Sequence, residues 1–276
     1  RVTARGSVGN NLDVQAAFQP LLLNDLLPGG AGSLAGTLKL TGARNAPNID
    51  ADLSGNGLKW NDWSAATLSV RGRLPWQGRN GALAVNGTDI NVGTVLDSLQ
   101  LDATGSLQHL QVEGKAHNAM GAIALSGSAQ QRGNNWQGTL DTLRLSVARG
   151  TDWTSQQPAR LAQQSSNWTL PQTCLGAAGG GSLCANANWP GKGVEIQGDA
   201  VPLTLLQPWL PHVDNREMLL RGAIDLDGRV RPAGNRWQGN LDVTSSEGGL
   251  RLGTASRREL ASYKTLVLNI VFDPQR

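Results

Sequence analysis

Apolar and polar residues alternate with a period of two along most of the chain. Thr37–Thr41 reads TLKLT and Ile49–Leu53 reads IDADL, a pattern that places apolar side chains on one face of a strand and polar ones on the other. The same alternation recurs in Leu68–Arg71, Leu83–Val85, Ile90–Val92, Leu110–Val112, Ile123–Leu125 and Val194–Ile196. It predicts half-buried β-strands, about fifteen to eighteen of them at usual strand lengths.

Glycine and asparagine steps separate these segments and predict hairpin turns, because both residues adopt positive φ readily. The steps are Gly55–Gly57, Asn80–Gly81, Asn86–Gly87, Gly133–Asn134 and Gly248–Gly249. Helical patterns are scarce. Pro20–Pro28 and Pro202–Pro211 are Leu-rich segments between prolines and predict one or two helical turns each, and Gln156–Gln164 predicts a loop or a helical turn. Hairpin turns between alternating segments predict a mainly antiparallel sheet.

The chain contains an internal repeat. GAIALSG at Gly121–Gly127 matches GAIDLDG at Gly222–Gly228, and a WQG phrase follows each copy; Leu34–Gly42 is a looser third copy. Convergence of unrelated hairpins on the same phrase is the alternative explanation, chiefly for the third copy. The repeats predict a single continuous domain over residues 1–276, with repeat units around 20–60, 107–150 and 202–252.

So many one-faced strands predict an all-β, elongated, curled sheet built from repeats, with a β-taco-like apolar groove and only short helical turns. A sealed sandwich would show the same alternation and is the alternative. If the groove is correct, its lining consists of the apolar residues at inward positions of the clearest strands: Leu38, Leu40, Ile49, Leu53, Leu68, Val70, Ile123, Leu125, Ile224, Leu226, Leu241 and Val243.

Composition excludes several classes of protein. Charged residues are only 16% of the chain, glycine is abundant at 35 of 276 residues, and Phe 2 and Tyr 1 leave Trp 9 as the main aromatic type. A net charge of +3 from scattered basic residues, with Arg257–Arg258 as the one adjacent pair, disfavours nucleic-acid binding. The longest nearly apolar stretch, Leu266–Phe272, is too short for a membrane helix. Because the chain begins at Arg1 without a leader, we expect it to be a piece of a longer protein.

Catalytic and metal-binding signatures are absent from the sequence, so we expect neither an enzyme nor a cofactor or metal. His109, His117 and His212 lack metal-ligand spacing. Gly30–Ala35 fits a dinucleotide fingerprint formally, but an alternating strand follows it instead of a helix. The paired acids Asp50 and Asp52 fall on the outward face of a strand, where solvation explains them better than catalysis does.

Cys174 and Cys184 bracket a Gly-rich segment that is typical of a hairpin tip. An even pair of cysteines across such a tip predicts a disulfide in an oxidising compartment. Two buried free thiols in a cytosolic protein are the alternative.

The tryptophans allow two interpretations. Flat rings such as Trp60 and Trp63 could stack on sugars, whereas Trp136 and Trp237 occupy equivalent places in the repeat at inward positions. Packing in the core or at the rim of a groove is the favoured interpretation.

Two segments resemble a known family. The run from Pro171 to Pro211, with its cysteine hairpin and Pro-Leu segment, resembles the C-terminal region of the TamB family, the translocation and assembly module subunits within the AsmA-like group. Gly32–Trp60 resembles another phrase of that family: a Leu-rich turn, G-x-L-x-L-x-G, a proline and a second alternating strand.

The resemblance implies a periplasmic protein of diderm bacteria. It would be anchored in the inner membrane by an N-terminal segment absent from this chain, and would extend toward an outer-membrane barrel of the TamA type through regions outside this chain. It also implies a bridge-like lipid transporter with a continuous hydrophobic groove.

Three functions therefore stand as hypotheses. The first is a groove that carries phospholipid acyl chains between the two membranes and supports outer-membrane assembly. The second is a chaperone or scaffold that inserts outer-membrane β-barrel proteins through strand-edge pairing. The third is an extracellular adhesin or carbohydrate-binding β-solenoid that uses the tryptophans.

Overall fold

The strand pairs of the described residues are antiparallel, as the alternating pattern predicts, and most of them join strands that follow one another in the chain. The structure is a computed structural model that describes residues 1–25, 27–133, 135–148, 150–211, 213, 216–234, 236–253 and 258–272, with the side chain of residue 209 excepted. It divides into two compact units, Arg1–Ala119 with Ile123–Gly133, and Met120–Ala122 with Asn134–Arg276. Strands account for 76% of the residues.

The first unit is a meander. Each of β1 to β7 pairs antiparallel with the next strand. The strands up to β9 are β1 (Val2–Val8), β2 (Asn11–Leu22), β3 (Ala31–Ala43), β4 (Ala46–Trp60), β5 (Trp63–Leu74), β6 (Gly81–Asn91), β7 (Val95–Gly105), β8 (His109–Asn118) and β9 (Gly121–Arg132).

The second unit has a less regular order, because β16 pairs with β15, β17 and β18, and β17 also pairs with β20. Its strands are β10 (Asn135–Val147), β11 (Trp153–Ser155), β12 (Ala159–Gln164), β13 (Asn167–Ala177), β14 (Ser182–Trp189), β15 (Gly193–Pro202), β16 (Met218–Ala233), β17 (Arg236–Ser245), β18 (Gly248–Leu252), β19 (Ala261–Tyr263) and β20 (Leu266–Phe272). The described residues form 20 strands, slightly more than expected, because β11 and β19 are only three residues long.

Among the residues that the structure describes, helix is confined to two short 3-10 segments. Leu23–Asp25 and Leu203–Trp209 lie inside the two proline-bracketed segments, so those predicted turns are confirmed. The prediction of a loop or helical turn at Gln156–Gln164 is wrong, because Ala159–Gln164 forms β12 and pairs with β10 and β13. The all-β, antiparallel fold class is confirmed. The single continuous domain with its repeat units stays a prediction.

Several predicted turns lie inside strands instead. Gly55–Gly57 lies within β4 and Asn86–Gly87 within β6, while Gly248–Gly249 lies within β18. In β4, Gly57 with a φ of 58° adds an extra position relative to β3, which is a bulge. In β6, Asp89 with a φ of 48° interrupts the alternation without a shift of register against β5 or β7. The strands therefore continue through these positions instead of turning.

In both β4 and β6 an apolar side chain folds back over a glycine three positions earlier. A Cβ added at Gly55 would lie 2.5 Å from Leu58 Cδ1, and one added at Gly87 would lie 2.6 Å from Ile90 Cδ1. Leu58, Ile90 and Ala65 form a buried cluster on which Leu23 of the first 3-10 segment packs. The missing side chains of the two glycines thus make room for this cluster at one end of the strands.

Replacing Gly87 by alanine tests this packing. The added Cβ displaces Ile90, so we expect the free energy of unfolding to fall by about 1 to 3 kcal/mol. Gly9→Ala is the matched control, because the nearest atom to its added Cβ is 3.9 Å away. Urea unfolding measures both, and equal stability of the two variants would contradict the close approach.

Candidate functional site

The apolar face of the first unit consists of rows of directly paired residues that cross β2 to β8. Paired residues in an antiparallel sheet project from the same face, so a row of pairs defines one surface. The Leu53 row contains Phe18, Gly36, Leu53, Val70, Val85, Leu101 and Gly114. The Leu38 row contains Ala16, Leu38, Ala51, Gly72, Leu83, Ala103 and Val112, and the Leu68 row contains Leu21, Leu34, Gly55, Leu68, Gly87, Leu99 and Ala116.

These rows contain only apolar residues and glycine, so one face is apolar across seven strands. A shorter row of Val14, Leu40, Ile49 and Leu74 lies beside them. Leu125 of β9 extends the Leu53 row, because a Cβ added at Gly114 would lie 3.3 Å from Leu125 Cδ1 and 3.4 Å from Leu101 Cδ1. Ile123, two positions earlier on β9, shares that face.

The second unit has an apolar face of the same construction. The Leu226 row contains Leu175, Leu183, Gly198, Leu226, Val243 and Leu268. The Leu241 row contains Thr173, Ala185, Ile196, Gly228, Leu241 and Ile270, and the Val230 row contains Leu170, Ala187, Val194, Val230, Gly239 and Phe272. Ser155 pairs with Leu175 at the end of the Leu226 row. Ile224 pairs with the buried Val201 at the end of this face.

Burial distinguishes the apolar faces from a sealed core. All twelve residues of the predicted lining lie in the rows or beside them, and all are half-buried except Val243, which is 9% exposed. Only eleven hydrophobic residues among the described ones are buried, and four of these are alanines. Large apolar side chains therefore remain partly accessible along both faces. Their role as a lipid groove stays a prediction.

The opposite face of each unit is polar. Lys39 pairs with Asp50, which pairs with Arg73, and the exposed side chains of Arg71 and Asp52 lie 3.3 Å apart. In the second unit the Asn186 side chain donates to Glu195 at 3.1 Å, and Arg229 forms an ion pair with the same carboxylate. The hydrogen bond and the ion pair lower the pKa of Glu195.

A disulfide joins Cys174 and Cys184 across the β13–β14 hairpin, as the sequence predicts. Cys184 pairs with Gln197, and Gln197 pairs with Asp227, so the disulfide lies on the polar face. It fixes the hairpin without occupying the apolar face.

Removing this disulfide should destabilise the second unit. Closing so short a loop stabilises a fold by about 2 to 3 kcal/mol in the loop-entropy model, so we expect Cys174→Ser with Cys184→Ser to lower the free energy of unfolding by that amount. Intact mass should show two hydrogens fewer than the reduced protein, and thiol labelling of the unfolded, non-reduced protein should find nothing. Stoichiometric labelling of both cysteines would contradict the bond.

Tryptophans gather at one set of hairpin ends in the second unit. Trp136 pairs with Gln163, which pairs with Trp168, which pairs with Trp189. The ring of Trp189 stacks on that of Trp237, with centroids 4.4 Å apart. We call these four tryptophans the tryptophan row. In the first unit, Trp60 and Trp63 pair across the β4–β5 turn.

Side chains for metal chemistry do not converge in the described part of the chain. The described residues contain no group of three or more His, Cys, Asp or Glu that could hold a metal ion. His117 Nδ1 lies 3.3 Å from an oxygen of Asp97 at the exposed surface, and His212 lies outside the described residues. Within the described part of the chain, no helix has the length and hydropathy of a membrane span.

Sequence reasoning missed two groups of residues. Leu58 and Ile90 each follow a residue with positive φ, Gly57 or Asp89, which interrupts the alternation, so the pattern alone could not place them. The signal was a glycine three positions before each of them, followed by a residue that accepts positive φ. The alignment of Trp168 with Trp189 was also missed, because it depends on the register of β13 with β14.

The chain matches the family model described as TamB, N-terminal domain, over residues 1–276. No solved structure matches it. The predicted family is confirmed, whereas the predicted C-terminal region disagrees with a match to the N-terminal domain. That prediction rested on the run from Pro171 to Pro211 and the strand phrase that follows it. The strand phrase occurs near both Gly36 and Gly222, so it carries no information on position. A match over the full length of the sequence shows that this chain belongs to the TamB family.

Proposed function

We propose that the two apolar faces carry the acyl chains of phospholipids between the inner and outer membranes of a diderm envelope and so support outer-membrane assembly. The observation that supports this function is the continuity of half-buried apolar rows across successive strands. A sealed core would bury these side chains, and an ordinary surface would interrupt them with charges.

The energetics favour such a surface for lipid. A phospholipid in water exposes roughly 30 methylenes, which costs on the order of 25 kcal/mol. A continuous apolar surface removes much of that cost at every position along the path. Acyl chains therefore slide along it without a specific site, while the head group stays in water.

Membership of the TamB family supports a periplasmic location and a TamA-type barrel partner for the complete protein. Both are part of this proposal. Crosslinking in intact cells, followed by identification of the captured barrel, tests the partner.

Lipid extraction is the direct test of the proposed function. The protein is purified from its host membrane fraction without detergent exchange, and an organic extract is analysed by mass spectrometry. We expect phospholipid in at least equimolar amount, with a variant altered on the polar face, such as Asp52→Asn, retaining the same load. Protein that is folded and free of phospholipid contradicts the proposal.

Strand-edge pairing is the second candidate function, and β20 supports it. This strand pairs with β17, and no described strand pairs with its other edge. Val267 and Val271 project from its polar face and are 62% and 76% exposed. Capture of an unfolded barrel protein that is abolished by Val271→Pro would favour this function. The carbohydrate-binding hypothesis stays a prediction that a glycan array tests.

A further inference from the structure

We infer that the phosphate head group of an anionic phospholipid rests on the tryptophan row and on the cations at the adjacent hairpin ends, Lys192, Arg231 and Arg236. We call this set of residues the rim. This inference rests on the proposed function, and it assigns a head-group track to one edge of the second unit. The proposed occupant of this edge is a lipid head group.

The tryptophan row borders the apolar face. Trp168 lies two positions before Leu170 on β13, and Trp237 lies two positions before Gly239 on β17, so both share the face of the Val230 row. Trp189 is the last residue of β14, and Trp168 and Trp237 are each the second residue of their strands. The rings therefore occupy the last apolar position before polar backbone and solvent.

The exposure of the rings suits a boundary between apolar chains and water. Trp168 is 47% exposed and Trp237 is 55% exposed, although Trp237 stacks on Trp189. Tryptophan combines a large apolar ring with one N–H donor, and it accumulates where an apolar phase meets water. A series of half-exposed rings along one edge has no role in a sealed core.

The hairpin ends beside the tryptophan row are positively charged. Lys192 lies in a turn, whereas Arg231 and Arg236 lie near the ends of β16 and β17, on the polar side. Segments 163–168, 189–193 and 231–237 contain Lys192, Arg231 and Arg236 and no aspartate or glutamate. All three cations are exposed. Arg229, Arg231, Val271 and Phe272 are among the residues that line an open depression of about 420 Å³, mainly on the polar face. Glu195 on that face forms an ion pair with Arg229 and also interacts electrostatically with Lys192. The excess of cations at these hairpin ends therefore complements an anionic phosphate.

Vesicle loading tests the charge of the rim. The complete chain is incubated with vesicles of phosphatidylglycerol or of phosphatidylcholine with the same acyl chains, re-isolated, and assayed for bound phospholipid at low salt. We expect the native chain to load about fivefold more phosphatidylglycerol. The triple variant Lys192→Gln, Arg231→Gln, Arg236→Gln should lose this preference and keep its loading of phosphatidylcholine.

A triple variant on the polar face of the first unit, Lys39→Gln, Arg71→Gln, Arg73→Gln, has the same change in charge and is the control. A preference that survives in the rim variant, or that both variants lose equally, overturns the inference. Equal loading of the two lipids by the native chain overturns it as well, while the proposed function stands. A native chain that loads neither lipid overturns the proposed function and the inference together.

Fluorescence quenching tests the position of the rings. Phosphatidylglycerol brominated near the glycerol end of the acyl chain should quench tryptophan emission more than the same lipid brominated near the methyl end. The difference should fall in Trp168→Leu, Trp237→Leu and persist in Trp60→Leu. Stronger quenching by the methyl-end label would overturn the assignment of this edge to head groups.

Discussion

Replacing Leu226 by aspartate lowers the transfer of phospholipid between vesicles by about tenfold or more, while the variant still folds. Leu226 lies at the middle of the Leu226 row, and a Cβ added at its partner Gly198 would lie 2.8 Å from Leu226 Cγ. A carboxylate there faces acyl chains without a partner, which costs free energy. Each 1.4 kcal/mol of that free energy reduces the occupancy of the apolar face by lipid tenfold. The side chain is half-buried, so water can reach the carboxylate when lipid is absent and the loss of stability is smaller than in a sealed core.

Val267→Asp is the matched control for this experiment. Val267 aligns with Thr244 on the polar face of the same unit, and it is 62% exposed. Both variants are assayed for vesicle transfer, thermal unfolding and outer-membrane permeability in the host. Normal transfer by a folded Leu226→Asp variant would refute the lipid-carrying face. Loss of function in Val267→Asp alone would favour strand-edge pairing at β20.

Truncating the buried Leu58 should cost more stability than truncating the half-buried Leu53. Leu58 is 6% exposed and packs with Ala65 and Ile90, so Leu58→Ala leaves a cavity and lowers the free energy of unfolding by about 2 to 4 kcal/mol. Leu53→Ala removes the same atoms from a half-buried row, and we expect it to cost about 1 kcal/mol.

Urea unfolding measures this difference in the free energy of unfolding. An assay of phospholipid transfer between vesicles is then carried out on both variants. Leu58→Ala should leave transfer per folded molecule unchanged, because Leu58 closes the end of the strands instead of lining the rows. Equal losses of stability in the two variants would show that the Leu53 row is sealed from solvent. The pair therefore separates residues that stabilise the fold from residues that contact lipid.

The alternation of residues was sufficient to predict the faces of the strands. Leu38 and Leu40 flank the exposed Lys39, and their partners in β4 are Ala51 and Ile49, as a period of two requires. The register between strands could not be predicted from the alternation, because it depends on where each turn begins and where each bulge adds a residue. Asn86–Gly87 suggested a turn for that reason, although β6 continues through it.

The candidate site shows the same difference between what local alternation predicts and what depends on register. The local alternation was sufficient to predict which residues lie on the apolar faces, so the predicted lining residues fall in or beside the rows. The tryptophan row depends on alignment across β10, β12, β13 and β14, and on a ring stack between residues 48 positions apart, Trp189 and Trp237. No local pattern encodes contacts of that range.

The chain-neighbour pairing of β1 to β8 has a consequence for how such a protein folds and lengthens. Partners are joined by turns of a few residues, so the entropy cost of closing each loop is small and folding can begin at any hairpin and spread to its neighbours. Duplicating one hairpin adds about 10 Å to the sheet and restores the chain direction, so every other side chain keeps its face. Evolution can therefore change the length of such a sheet in hairpin steps, and the similar hairpins that begin at Gly121 and Gly222 have the form that one such duplication would leave.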